Sequence, residues 1–353
     1  MRTCLPRNRE SLDDARAREL LSAFEGTRVL VVGDAFLDEY LYGDASRVSP
    51  EAPVPVVHVE SETTVLGGAG NVARNVVALG ADCDFCAVVG RDASGERVIS
   101  LLQELGVDPA GLVVQDDRPT THKTRVVARR QQVVRVDRER VAELPAAAVR
   151  ELQGRIDAAL AGADAVIAED YDKGLLSREV GRGLMKSAGE AELPVFVDPK
   201  RTLEPFPGAA LVKPNLAEAE AISGLQVSGE GGIESVGREL QKRVRGADIA
   251  ITQGGEGITF FQGSGFEDDA PGVYVPTLRQ EVFDVQGAGD TIIATLGLAR
   301  QAGASLWEAT VLANAAASVV VGKTGTATAD REELLAALPA VRDAARAQGG
   351  RPE

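Results

Sequence analysis

The chain offers almost nothing for metal or disulfide chemistry. Its three cysteines are too few and too unevenly spaced for a disulfide framework, and only His58 and His122 supply imidazole. Cys83 and Cys86 form one C-x-x-C pair in "ADCDFCAVVG". That stretch reads as a strand, where positions three apart face opposite sides, so small buried thiols are a plainer reading than zinc or redox chemistry. Long apolar runs are missing too. Nothing approaches the ~18 residues of a membrane span, and "MRTCLPRNRESLDDARAREL" lacks the apolar centre of a signal peptide, so a cytoplasmic protein is expected. Basic residues are outnumbered: 38 Lys and Arg against 53 Asp and Glu leave a net charge of -15. Nucleic acid and anionic membranes are therefore poor partners, because both need a basic face to release counterions.

Two nucleotide signatures are absent as well. No G-x-G-x-x-G follows the first strand, which removes support for a nicotinamide fold. "ASVVVGKT" nearly spells a P-loop, but Ala317 replaces its first glycine and the preceding text is helical, whereas a P-loop follows a strand. There is no internal repeat and no low-complexity linker.

What is present is alternation. Apolar runs of strand length, "RVLVVGD", "DFCAVVG", "DAVIAED", "PVFVDPK", "AALVKPN" and "DIAITQGG", are mostly separated by segments of helical spacing such as "GNVARNVVALG" and "AAAVRELQGRIDAALAG". This predicts an α/β fold, a doubly wound and mostly parallel sheet with helices on both faces. Two β-branched stretches, about residues 39–60 and 118–138, break the pattern and predict a small β-lid across the strand ends, with an edge or face suited to a dimer. Residues 1–26 read as a charged arm, a short helix or a frayed end. The main domain spans 27–335, and a helix end and tail fill 336–353.

Phosphate chemistry is written most sharply in "DVQGAGDT", residues 284–291. Gly287, Ala288 and Gly289 free backbone N–H groups at a helix start, and with the helix dipole these form an anion hole. Asp290 is expected to be held ionised by that positive end and to accept a proton. A base beside an anion hole suits phosphoryl transfer to an alcohol, although a plain helix cap also uses Asp. In "KPNLAEAE", Asn215 and Glu218 share one face of a helical turn. Glu218 suits Mg²⁺ held largely through water, and Asn215 reads equally as an N-cap.

Other signals keep two readings each. Asp34 and Asp38 follow the first strand, where open α/β sheets bind ligands, or are solvated turn acids. "GGAGNVARN" sets Gly67, Gly68 and Gly70 before Asn71, for close approach of a sugar or simply for a turn. "TQGGEG", residues 252–257, runs beside a nucleotide or turns a hairpin. Arg118, Lys123, Arg125, Arg129, Arg130, Arg135, Arg138 and Arg140 concentrate positive charge on the lid. They either protect an edge from aggregation or attract an acceptor that already carries phosphate.

In order along the chain, "GGAGNVARN", "KPNLAEAE", "TQGGEG" and "DVQGAGDT" resemble the signatures of the ribokinase-like (pfkB) carbohydrate kinases, over roughly residues 27–335. "SRVSPEAPVPVV", "HKTRVVARRQQVVRVD", "DYDKG" and "ANAAASVVVGKTGTAT" look closest to the branch that acts on a phosphorylated heptose. The resemblance implies ATP-dependent phosphorylation of the anomeric hydroxyl of D-glycero-β-D-manno-heptose 7-phosphate, on the route to ADP-heptose. The alternative it leaves is a pfkB kinase of ribose, fructose or a phosphorylated hexose. It implies Asp290 as base, Gly287, Ala288 and Gly289 as anion hole, and Asn215 and Glu218 organising Mg²⁺ and phosphates. Thr252, Gly254 and Gly257 would lie along the ATP, with Asn314 near the adenine. Asp34, Gly68, Asn71 and Asp170 would meet the sugar, and Lys123, Arg125 and Arg129 its 7-phosphate. A homodimer through the lids is implied, and a separate nucleotidyltransferase is expected, since many relatives carry one fused and the chain's length leaves no room for it. Gln286 departs from the family's threonine in a loop that borders a monovalent-cation site, where Asp284 and backbone carbonyls are the donors left for K⁺.

Overall fold

The structure, a computed structural model, describes residues 12–129, 131–229, 231–263, 270–278 and 284–347. The outer part of the N-terminal arm, Arg130 of the basic stretch and the last residues of the tail lie outside them.

The chain opens with helix α1 (Asp14–Ser22), capped by Asp13, and strand β1 (Arg28–Gly33). Only Asp34 separates β1 from β2 (Ala35–Val48), which pairs antiparallel with β3 (Pro55–Gly68). Then come α2 (Ala69–Ala78), β4 (Asp82–Gly90), α3 (Ala93–Leu105), β5 (Leu112–Gln115), β6 (Thr121–Ala128) and β7 (Gln131–Arg138). A second series follows: α4 (Ala146–Leu160), β8 (Ala165–Glu169), α5 (Arg178–Glu190), β9 (Val195–Asp198), β10 (Leu211–Val212), α6 (Leu216–Ser223) and α7 (Gly232–Arg243). The described chain ends with β11 (Asp248–Thr252), β12 (Gly257–Phe261), β13 (Val273–Pro276) and helices α8 (Ala288–Gln301), α9 (Leu306–Val321) and α10 (Arg331–Ala347).

Nine strands form the main sheet, in the order β13-β12-β11-β10-β9-β8-β1-β4-β5. It is parallel from β5 to β11, and β12 and β13 add an antiparallel edge. Helices cover both faces, so central strands are apolar on both sides: all five residues of β8 are buried, as are all but the first of β1. The doubly wound fold expected from the alternation is the fold found. Cys83 and Cys86 lie buried in β4, and burial pushes the Cys86 thiol up to about 12, which leaves it inert.

The lid is a separate four-stranded sheet, β3-β2-β6-β7. It is larger than the sequence suggested, because β2 starts one residue after β1 and β3 runs straight into α2. Burial falls along β2 from its base to its tip, and β7 is exposed throughout, so the sheet projects from the body. In the N-terminal arm, α1 is the short helix of the two readings. Leu20, Leu21 and Phe24 join Leu338, Val341 and Ala345 of α10 in the core, and Arg342 pairs with Asp14 at 2.7 Å.

Candidate active site

Chain order reverses between β1 and β8, the kind of switch point where open α/β sheets take ligands at their carboxyl ends. Gly33 of β1 pairs with Glu169 of β8, so Asp34 and residues 170–173 leave the sheet side by side. Asp34 is neither solvated nor turned outward. It is 4 % exposed and accepts backbone N–H bonds from Tyr171, Lys173 and Leu175 at 3.0, 3.1 and 3.3 Å. Burial raises its carboxyl above the usual range, and those three donors oppose the rise. The carboxylate thereby ties the turn after β8 to the end of β1.

The anion-hole segment opens α8 as expected. Gly287 has φ 77°, and a Cβ there would come within 2.7 Å of the Asn71 amide nitrogen. At Gly289 a Cβ would meet only the Lys213 ammonium, at 3.5 Å. The space above these residues is a cleft of about 640 Å³, of nucleotide scale. Asp170, Asn215, Glu218, Thr252, Gly254, Gly257, Ala288, Asp290 and Asn314 all line it. "TQGGEG" fits both of its readings, because it turns the β11–β12 hairpin while walling the cleft.

Asp290 stands at the cleft's end, 4 % exposed. The Asn71 amide donates to its Oδ2 at 2.7 Å and the Tyr171 hydroxyl to its Oδ1 at 2.8 Å. The position at a helix terminus does not set this carboxyl's proton affinity alone. Burial is the largest influence and raises it, while Asn71, Tyr171 and Lys213 pull it back. Asn71 is engaged at both ends, since its Oδ1 accepts from Arg74 at 3.0 Å.

A buried charge cluster lies beneath. Glu169 and Asp198 end adjacent parallel strands in register, and Lys213 follows β10. The Lys213 ammonium sits 2.6 Å from Asp198 Oδ2. Burial pushes Asp198 up to about 7 against the pull of Lys213, and raises Glu169 well above the carboxylate range. Glu169 Oε2 has no hydrogen-bond partner among the described residues.

Asn215 and Glu218 form a reciprocal capping box at α6. Glu218 Oε2 accepts from the Asn215 backbone at 2.9 Å, and its Oε1 pairs with Lys200 at 2.6 Å. Among the described residues no group of three or more His, Cys, Asp or Glu is arranged to hold a metal. With the cleft's carboxylates dispersed and not converging on one point, Glu218 fits a divalent cation bound through water and substrate phosphates rather than in a protein cage. Asn314 donates to the Val275 and Pro276 carbonyls at 3.1 and 3.2 Å, which ties α9 to the end of β13. The Asp170 side chain accepts from the Asp172 backbone at 2.8 Å, and burial pushes it up to about 6. Asp284 accepts from the Gln286 backbone at 2.9 Å.

On the lid side the expected residues separate. Gly68, at φ 58°, lets β3 turn into α2 against the Asp34 carbonyl. The Lys123 ammonium lies 4.0 Å from the Phe36 ring centre and 5.6 Å from that of Tyr171, without an ion-pair partner among the described residues. Arg125 is buried on Asp38 at 2.5 Å. Arg129 is not brought to the site, because it sits exposed beyond β6, paired with Asp44 at 2.6 Å. Sequence reasoning missed Tyr171, Lys200, Lys213, Glu169 and Asp198. Their signal was position, since each lies at or just beyond the carboxyl end of a strand.

A mostly parallel sheet with a β-lid, and a glycine-rich helix start beside a buried carboxylate, is the ribokinase-like architecture. The sequence pattern of the pfkB family carbohydrate kinases matches residues 27–333, and the chain belongs to that family. It is 42 % identical over 307 residues to a protein named Bifunctional protein HldE from Nitratiruptor sp., covering 87 % of this chain and 64 % of that one. Its identity to the protein of the same name from Caulobacter vibrioides is 44 % over 328 residues, covering 92 % and 66 %. The chain thus spans just under two thirds of the length of these relatives. Among solved structures, phosphofructokinase-2 from Escherichia coli in complex with potassium superposes with a TM-score of 0.72 at 19 % identity, covering 90 % of this chain and 99 % of that one. Among the described residues no helix is long and apolar enough to cross a membrane.

Proposed function

We propose that this carbohydrate kinase transfers the γ-phosphoryl group of ATP to the anomeric hydroxyl of D-glycero-β-D-manno-heptose 7-phosphate, giving the 1,7-bisphosphate and ADP. The observation that carries a phosphorylated acceptor is Lys123, a half-buried ammonium between the lid and Tyr171 with no ion-pair partner among the described residues. An anionic substituent on the sugar would supply that partner. Identity above 40 % to the HldE proteins supports the heptose, and the proposal covers the kinase reaction alone.

In this reading the acceptor lies under the lid and ATP fills the cleft, with the reacting atoms at Asp290. As the acceptor oxygen bonds to the γ-phosphorus and the bond to ADP breaks, the hydroxyl proton passes to Asp290. Backbone N–H groups at the start of α8 hold the charge on the phosphoryl oxygens. Mg²⁺, when bound, would neutralise phosphate charge, with Glu218 and Asn215 placed to orient its waters. Asp284 would supply a side-chain oxygen to K⁺. Exposed Val133, Val134 and Val136 on β7 and Val59 on β3 support a homodimer through the lids.

The test is ADP release over a panel of heptose 7-phosphate anomers, ribose, fructose and fructose 6-phosphate. The β-anomer of the heptose should be preferred by kcat/KM. Preference for a neutral sugar refutes the assignment.

A further inference from the structure

We propose that Tyr171 is a positioning residue for Asp290, its phenol fixing the carboxylate that takes the acceptor's proton. The inference rests on Asp290 as the base and adds a residue to that machinery. Three contacts fix Tyr171 from three directions. Its backbone N–H donates to Asp34 Oδ2 at 3.0 Å, its ring meets Phe36 edge-on at 4.7 Å, and its hydroxyl donates to Asp290 Oδ1 at 2.8 Å. Phe36 belongs to lid strand β2, so this one side chain spans from the lid to the reacting carboxylate. With Asn71 holding Oδ2 at 2.7 Å, the plane of the carboxylate is set by two neutral donors on opposite oxygens. Each oxygen keeps a lone pair for the incoming hydroxyl.

The surroundings make the phenol matter. Asp290 is faced by Asn71 and Arg74 from α2, Asp38 from β2, Glu169 and Tyr171 from β8 and the turn after it, Asp198 from β9 and Lys213 beyond β10. Asp38 is already matched by Arg125, and Lys213 by Asp198. A base that must stay ionised among acids therefore depends on its hydrogen-bond donors, because a donor to the charged form favours that form. Burial raises the Tyr171 phenol well above its ordinary range, so it remains a donor through neutral pH.

Tyr171→Phe keeps the ring against Phe36 and removes only the hydroxyl. The expected result is a kcat at least tenfold lower, an unchanged KM for ATP, and an acid limb of kcat/KM moved up by about one pH unit. The unliganded protein gives the same answer without an acceptor. With ¹³C-carboxyl aspartate, the signal that disappears in Asp290→Asn should titrate at higher pH in Tyr171→Phe. An unmoved carboxyl titration with unchanged kcat overturns the inference. Should Asp290→Asn retain turnover, the base assignment itself fails, whatever Tyr171→Phe does.

Discussion

The Gln286 side-chain oxygen accepts a hydrogen bond from the Tyr40 hydroxyl at 2.9 Å, and the same hydroxyl lies 2.6 Å from Thr326 Oγ1. Tyr40 belongs to lid strand β2, Gln286 immediately precedes Gly287 at the start of α8 and Thr326 follows α9. Gln286 therefore joins the lid to the loop that opens α8. Tyr40→Phe removes both bonds and should cost about 1–2 kcal/mol. That is a fall in melting temperature of a few degrees. An unchanged melting temperature would show the contact to be idle.

Asp290→Asn should lower turnover on the order of a hundredfold or more while ATP still binds. Calorimetric titration of ATP beside an ADP-release assay separates the two effects. Near-normal turnover would remove Asp290 from the role of base.

Gly289 and Gly287 should respond in opposite ways. Gly289→Ala adds a methyl to helix α8 facing the cleft, with only the Lys213 ammonium at 3.5 Å, so stability should hold or rise by up to about 1 kcal/mol while turnover falls. Gly287→Ala forces a side chain onto φ 77° and to 2.9 Å from the Thr326 methyl, and should cost about 1–3 kcal/mol. Urea unfolding of the two variants in parallel checks this.

Lys213→Met leaves Asp198 without its counter-charge, which is expected to cost about 3–5 kcal/mol at pH 8. Because burial pushes Asp198 up to about 7, the loss should shrink at pH 5, where the carboxyl is protonated. A cost that does not change with pH would contradict this.

Asp170, pushed up to about 6, binds more protons in the folded than in the unfolded chain. Its contribution is therefore fully present below the unfolded value near 4 and is lost as pH rises through 6, with a slope of at most about 1.4 kcal/mol per pH unit. In Asp170→Asn that slope should vanish. Subtracting the variant's denaturation curves from those of the parent between pH 4 and 7 isolates it, and identical pH dependence would contradict the assignment.

Much of the fold was legible because its causes are local. The apolar strands reveal a sheet covered on both faces, and the glycines at 287 and 289 mark a helix start that opens on the cleft. Asn215 and Glu218 cap their helix within four residues. Charge was less legible. Lys123, Arg125 and Arg129 are similar letters on one strand and its turn, yet one lies by the Phe36 and Tyr171 rings with no ion-pair partner among the described residues, one is buried on Asp38 and one is exposed on Asp44. Strand pairing and the reach of the lid decide which.

By itself, then, the sequence determined the kind of fold, the glycine-rich start of α8 and the carboxylate in its first turn, since periodicity, turn chemistry and capping act over a few residues. Only the tertiary structure decided what surrounds that carboxylate. Tyr171 and Asn71 lie 119 and 219 residues from Asp290 along the chain. They meet it because chain order reverses between β1 and β8 and because α2 and α8 pack together. The same burial sets the carboxyl's proton affinity, since desolvation depends on every element that covers a group and not on its neighbours in sequence.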